Sequence, residues 1–212
     1  MRDHRFFAAI YERMIDASER AGLSEMRAEL LAQAKGRTLE LGAGTGLNLA
    51  HYGPEVSELI LTEPDRFMAR RARDRVADGG ATPASVEVIE SPAEALPVED
   101  ASVDTVVSTL VLCTVEDPER VAGEIERVLR PDGRLLVLEH VLSQDDERLA
   151  RWQHRLHTPW KWFGAGCNCD RDTPGTLAAA GFSVGSLARE EFPKAPPIVR
   201  PMIAGVVSHP GS

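Results

Sequence analysis

Thr38-Leu39-Glu40-Leu41-Gly42-Ala43-Gly44-Thr45-Gly46-Leu47-Asn48, followed by Glu63 at the end of the next apolar run, is the stretch that decides the fold. Leu39 and Leu41 read as a buried strand, the three glycines as the turn that leaves it, and Leu47 to Tyr52 as the start of a helix. A glycine turn lets the backbone approach a ligand closely, because no Cβ intervenes. An acid at the tip of the second strand can accept hydrogen bonds from a ribose diol. Together these features make a nucleoside site. The spacing is Gly-x-Gly-x-Gly, not the Gly-x-Gly-x-x-Gly of a dinucleotide fingerprint, and no Gly-Lys-Ser/Thr follows as in a P-loop. Glu40, two residues before the first glycine, repels a pyrophosphate and suits the cationic amino-acid end of a ligand.

Strands and helices alternate on both sides of this motif. Helical spacing is expected from Phe6 to Ile15 and again from Ser24, with Met26, Leu30 and Ala34 on one face and Gly36 as the stop. Further strands are expected at Leu59–Thr62, Val86–Ile89, Val103–Leu112 and Leu135–Leu138, with helices at Phe67–Val76 and from Asp117-Pro118 to Leu129. Arg130 to Gly133 reads as a turn. The fourth strand is β-branched and almost wholly apolar, as a central parallel strand should be. Beyond it, Leu149–Leu156 and Thr176–Ala180 read as helices, His157–Thr173 as irregular chain, and Phe182–Leu187 and Ile203–Val207 as a last pair of strands at the sheet edge. Such alternation predicts a single α/β domain, residues 1–212, with a doubly wound parallel sheet and ligands at the carboxyl ends of its strands. Glu63, Thr109 to Cys113, and Glu139-His140 all fall at those ends. Residues 1–36 are expected to form a helical lid, and 143–175 an insert near the acceptor pocket.

Composition narrows the partners. The 212-residue chain carries a net charge of −9, which disfavours nucleic acid and anionic membrane surfaces. Three cysteines cannot make a disulfide framework, which points to a reducing, cytoplasmic setting. No stretch reaches the roughly 18 apolar residues of a membrane span, and Arg2 to Arg5 precede only a short amphipathic stretch. Cys167-x-Cys169 with His154 and His157 has the wrong spacing for a zinc pair, so no metal is expected.

Glu-x-Gly-x-Gly-x-Gly with Glu63, Ala93-Glu94-Ala95-Leu96-Pro97, and Arg127 to Gly133 resemble the class I S-adenosylmethionine-dependent methyltransferases of the ubiquinone and menaquinone type. Ser108 to Val115, Glu139-His140-Val141, Trp152-Gln153, Pro159-Trp160 and Gly166-Cys167-Asn168-x-x-Arg171-x-Thr173 are similar to the methyltransferase-like alkyl thiol methyltransferases. The resemblance implies a Rossmann-like sheet of seven strands, parallel with one antiparallel edge strand, helices on both faces, and S-adenosylmethionine as cofactor. It implies cofactor contacts from Tyr11, Glu40, Gly42, Ala43, Gly44, Thr45, Gly46, Asn48, Glu63, Pro64, Pro92, Ala93, Glu94, Thr109 and Leu110. Ser91-Pro92 stands where that superfamily often has Gly-Asp, so the adenine must be held by the Ala93 backbone, Glu94 or packing. The expected acceptor is a small, largely apolar molecule, favoured as a thiol, lying among Phe7, Cys113, Trp152, Trp160, Cys167 and Asn168. His140 is the candidate proton relay, since an unperturbed imidazole titrates near neutrality. A C- or O-methyltransferase of a quinone-like metabolite, and a binding module without turnover, are the alternatives.

Overall fold

A computed structural model of the chain describes residues 15–79, 83, 85–164 and 166–208. Phe7, Tyr11 and the rest of residues 1–14 of the expected lid lie outside the described residues. Seven strands form one sheet in the order β3-β2-β1-β4-β5-β7-β6: β1 Gly36–Leu41, β2 Val56–Thr62, β3 Val86–Ile89, β4 Val103–Thr109, β5 Leu129–His140, β6 Ala188–Glu191 and β7 Pro201–Ser208. The first five run parallel, and β7 is antiparallel to both β5 and β6. The antiparallel strand thus sits one place in from the edge. The chain winds outward from β1 to β3 and then crosses to β4 on the other side of β1. The carboxyl ends of β1 and β4 are therefore the topological switch point, where open α/β sheets hold ligands.

Alternate residues of the central strands feed two apolar layers. Leu39, Leu41, Val106, Leu135 and Val137 pack under α3 (Pro118–Val128) and α5 (Thr173–Ala179). Leu59, Leu61, Val107, Leu136 and Leu138 pack on the opposite face with Leu30 and Leu31 of α1 (Ser24–Leu31). A π-helical turn, Glu19–Leu23, leads into α1 and kinks at Gly22, whose φ is 128°. The helices α2 (Arg66–Ala77) and α3 are capped as sequence rules require: Asp65 accepts from the backbone of Phe67 and Met68, and Asp117 from that of Arg120.

Several boundaries differ from the sequence reading for identifiable reasons. Leu47–His51 is a single 3-10 turn that stops at extended Tyr52. β4 ends at Thr109 because Leu110 turns to φ 61°. Arg130 to Gly133 is not a break between elements but a bulge within β5, whose register shifts between Val103 and Thr105 of its partner. The strand expected at 182–187 is replaced by a 3-10 turn, Val184–Ser186, and the edge strand follows at Ala188–Glu191. Its four residues are exposed, so hydropathy alternation cannot reveal it.

The largest difference is α4. It runs from Glu147 to Phe163, far past Leu156, with Pro159 inside. A proline removes one helical hydrogen bond. Here it lies on the exposed side, and Arg155, whose carbonyl it would otherwise bond, is exposed as well. What fixes α4 to the body is Gln153, which is fully buried. Its Oε1 accepts from the Ser143 N–H at 2.8 Å, and its Nε2 lies 3.1, 2.8 and 3.0 Å from the carbonyls of Val141, Cys169 and Ile198. One amide thus ties the end of β5, the loop after α4 and the segment before β7. Gln153→Leu should cost about 3 kcal/mol in chemical denaturation, since each buried polar group left unpaired costs roughly 1–3 kcal/mol. Loss of under about 0.5 kcal/mol, the scale of ordinary surface changes, would show that α4 is held by packing alone.

Candidate active site

The cleft at the switch point is lined by Arg27, Glu40, Gly42, Ala43, Gly44, Thr45, Leu47, Asn48 and Thr109. Its floor is the glycine turn, with Gly42, Gly44 and Gly46 at φ 52°, 58° and 81°. Only glycine takes these angles without strain. Gly42 is further constrained by space, because a Cβ there would lie 2.8 Å from Val111 Cγ2. At Gly44 a Cβ would meet only the Gly42 carbonyl, 4.0 Å away, so its upper side is open to a ligand.

Glu63 comes back to this turn from the tip of β2. Its Oε2 accepts from Gly44 N–H and its Oε1 from Asp65 N–H, both at 2.9 Å. Burial raises its pKa, and those two backbone bonds oppose the rise. A carboxylate has about four acceptor sites, so each oxygen retains one for a diol. Thr45 Oγ1 is buried in the cleft without a hydrogen-bond partner, which also fits a polar ligand.

Glu40 is buried below. Tyr52 Oη donates to its Oε2 at 2.6 Å and Asn48 Nδ2 to its Oε1 at 2.9 Å. The Asn48 carbonyl oxygen accepts from Arg27 Nη1 at 2.8 Å, and Thr109 Oγ1 lies 2.9 Å from Asn48 Nδ2 and 3.3 Å from Arg27 Nη1. Arg27 Nε also pairs with Glu19 at 3.0 Å. Burial outweighs these bonds and lifts the Glu40 pKa to about 7. Sequence reasoning missed Arg27. The available signal was a cation on the same helical stripe as Leu23, Leu30 and Leu31, where a charge is expensive unless partnered.

The other predicted positions divide. Pro64 and Pro92 are exposed and Ala93 is buried, and none of the three lines the cleft. The Glu94 carboxylate is turned away, accepting from Glu116 N–H at 2.9 Å. At the end of β4, Leu110 holds a left-handed conformation that costs a branched side chain strain. Glu139, also absent from the expected site, anchors that turn: its Oε1 accepts from Ser108 Oγ, Val111 N–H and Leu112 N–H at 2.7, 2.8 and 3.0 Å. Cys113, Cys167, Cys169, Ala195 and Val199 form a small apolar cluster with Trp160 and Phe192 against it. Asn168 ties it to β4, its N–H and Nδ2 both donating to the Cys113 carbonyl. Trp152 is not part of this group; it is 47% exposed on the outer side of α4.

His140, the last residue of β5, stands edge-on to Phe192, which packs on the cluster, with ring centres 4.8 Å apart. It is buried, and its Nδ1 has no partner. Burial lowers its pKa to about 4, against a hydrogen bond to the Val199 backbone. The ring is therefore neutral at physiological pH, and a weaker base than free imidazole. His154 and His157 are elsewhere, their Nδ1 atoms on the two oxygens of Asp170 at 2.9 and 2.6 Å.

Comparison with known proteins agrees with this geometry. Residues 39–137 match the profile of the methyltransferase domain. The chain is 31% identical to a thiol S-methyltransferase of Homo sapiens over 94% of this chain and 81% of that one. It is 36% identical to a ubiquinone/menaquinone biosynthesis C-methyltransferase of Vibrio cholerae over 49% and 40% of the two chains. A solved SAM-dependent methyltransferase of Thermotoga maritima superimposes with a TM-score of 0.67 at 26% identity, covering 96% of this chain and 95% of that one. The chain therefore belongs to the S-adenosylmethionine-dependent methyltransferases, with S-adenosylmethionine as its methyl donor.

Proposed function

We propose that the methyl acceptor is the thiol of a small, largely apolar molecule bound between His140 and the cluster of Cys113, Trp160, Cys167 and Asn168. The observation that carries this reading is the His140 Nδ1, a buried hydrogen-bonding atom with no protein partner beside an apolar wall. Such an atom suits an acceptor with one polar, proton-bearing atom on an apolar body. The human relative named a thiol S-methyltransferase supports the choice of sulfur.

When bound, S-adenosylmethionine supplies an electrophilic methyl group on a sulfonium. The protein aligns the acceptor with it and excludes water. Glu63 would take the ribose diol, the Gly42–Gly46 turn with Ala43 and Thr45 would hold the ligand, and Pro64, Pro92 and Ala93 would flank the adenine. Glu40 and Asn48 would face the amino-acid end, and Arg27 would meet its carboxylate. Thr109 and Leu110 would close the side toward the acceptor. His140 accepts a hydrogen bond from the thiol S–H and orients the arriving acceptor; that bond is given up when the proton leaves to solvent and the thiolate forms.

Two outcomes test the cofactor half. Glu63→Ala should weaken S-adenosylhomocysteine binding by about 1–3 kcal/mol in calorimetry, the scale of hydrogen bonds to a charged group. A ligand ammonium near Glu40 favours its ionised form. With the free-protein pKa raised to about 7, affinity should therefore rise as pH climbs toward 7 and level off above it, with proton release on binding below 7. Glu40→Gln should abolish that release; a pH-independent wild-type affinity would sink the assignment.

The acceptor half is tested by a panel of thiols, phenols and quinols with S-adenosylhomocysteine release as readout. Thiols should turn over, at a rate that follows the acceptor's own thiolate fraction. Trp160→Ala should raise the acceptor KM several-fold and leave cofactor affinity unchanged. His140→Ala should lower kcat without displacing the pH profile. Turnover of quinols but not thiols would assign the site to a C- or O-methyltransferase instead.

A further inference from the structure

One face of α4 is used by neither the cofactor cleft nor the apolar cluster. At about 100° per residue, Arg148, Arg151, Trp152, Arg155, Pro159 and Trp162 fall in one stripe roughly 21 Å long, on the side of the helix away from buried Gln153. Trp152 and Trp162, 47% and 72% exposed, are the exposed large hydrophobic side chains among the described residues. The Arg155 guanidinium lies 5.8 Å from the centre of the Trp152 ring. The helix has one acidic residue, Glu147, at its first position beside Arg151. Neighbouring acids are engaged: Asp145 pairs with Arg189, Asp146 caps α4, and Asp170 is held by His154 and His157.

We propose that this face docks the protein on an anionic phospholipid surface. Exposed tryptophans are costly in water but well placed at a headgroup boundary, where the ring is half buried and the indole N–H stays wet. Arginines interleaved with them supply the charge complement to anionic lipid. A protein of net charge −9 that collects three arginines and two tryptophans on one stripe has a polarised surface. Its remaining acids are screened beyond a Debye length of about 8 Å at physiological salt, so the local face decides the contact. The helix lies flat in such a contact, since no helix is long and apolar enough to cross a membrane among the described residues. Trp160, seven residues after Gln153 and so on the same inward side of the helix, packs on the apolar cluster. The proposed acceptor pocket therefore lies across α4 from the lipid contact, about 10 Å or one helix diameter behind it. That last step rests on the acceptor reading above, whereas the docking itself does not.

Co-sedimentation of the full chain with vesicles tests the proposal. Vesicles of equal parts phosphatidylcholine and phosphatidylglycerol should bind it at least about tenfold better than phosphatidylcholine alone, in a salt-sensitive manner. Tryptophan emission should shift to the blue on binding. The double variant Arg148→Glu, Arg155→Glu should lose the preference, and Trp162→Ser should weaken binding several-fold, both with unchanged S-adenosylhomocysteine affinity. No partitioning, or partitioning that survives charge reversal, overturns the proposal. So does a concentration-dependent dimer that Trp162→Ser dissolves, which would make the stripe a contact between copies. A chain that docks but methylates no thiol would keep this inference and remove the acceptor reading.

Discussion

A buried carboxylate that no cation touches directly organises the cofactor side of this protein. Glu40 lies under the glycine turn, and Arg27 reaches it only through the amide of Asn48. Tyr52 and Thr109 complete the set. Five residues from α1, β1, the turn after it and β4 thereby satisfy one another at the buried base of the cleft. Removing one partner of a buried charged set strands the others, at a cost of roughly 3–5 kcal/mol. That cost explains why α1 is fixed over the cleft, and why the short segment from Leu47 to Tyr52 need not form a full helix. Its task is to deliver Asn48 and Tyr52 to Glu40.

A second buried carboxylate does the equivalent work at the turn after β4. Glu139 gathers three donors on one oxygen and holds the chain through the left-handed Leu110. Strain of this kind, about 1–3 kcal/mol for a non-glycine residue, persists only where the surroundings over-determine it. The two halves touch at Val111, which stands where a side chain on Gly42 would be. The glycine turn and the β4 turn are thus fitted to each other, and hydrogen bonds tie Cys113 to Asn168 in the loop after α4. Displacement of either turn would be felt by the other, since packed interiors transmit strain.

Much of this was legible before any coordinates. The alternation of Leu39, Leu41 and the glycines after them gave β1 and its turn, because close approach of backbone to a ligand demands residues without Cβ. Glu63 was placed by the same logic. Arg27 was not, because a charge in a helix is ordinarily a solvated one, and only its phase relative to Leu23, Leu30 and Leu31 marks it as buried. Glu139 was visible as a strand-end acid, but nothing local says that it will serve the backbone of residues 111 and 112. The extent of α4 was hidden by Pro159, which is tolerated because it faces outward. Trp152 was assigned to the pocket on residue type. Its neighbour Gln153 points inward, and one step along a helix turns the side chain by about 100°, so the two cannot share a wall.

The same geometry bears on the inference from net charge. Whole-chain acidity argues against an anionic partner only if charge is spread evenly, and here it is not. Coulomb interactions in salt are local, and the three arginines of the α4 stripe lie within about a Debye length of their neighbours along it. A surface that meets α4 on this side samples those arginines and two aromatic rings, while much of the acidic excess is screened from it. The acids nearest the stripe are occupied by an ion pair, a helix cap and two histidines. Net charge therefore governs solubility and long-range approach, and the phase of α4, fixed by one buried glutamine, governs what the protein presents at contact.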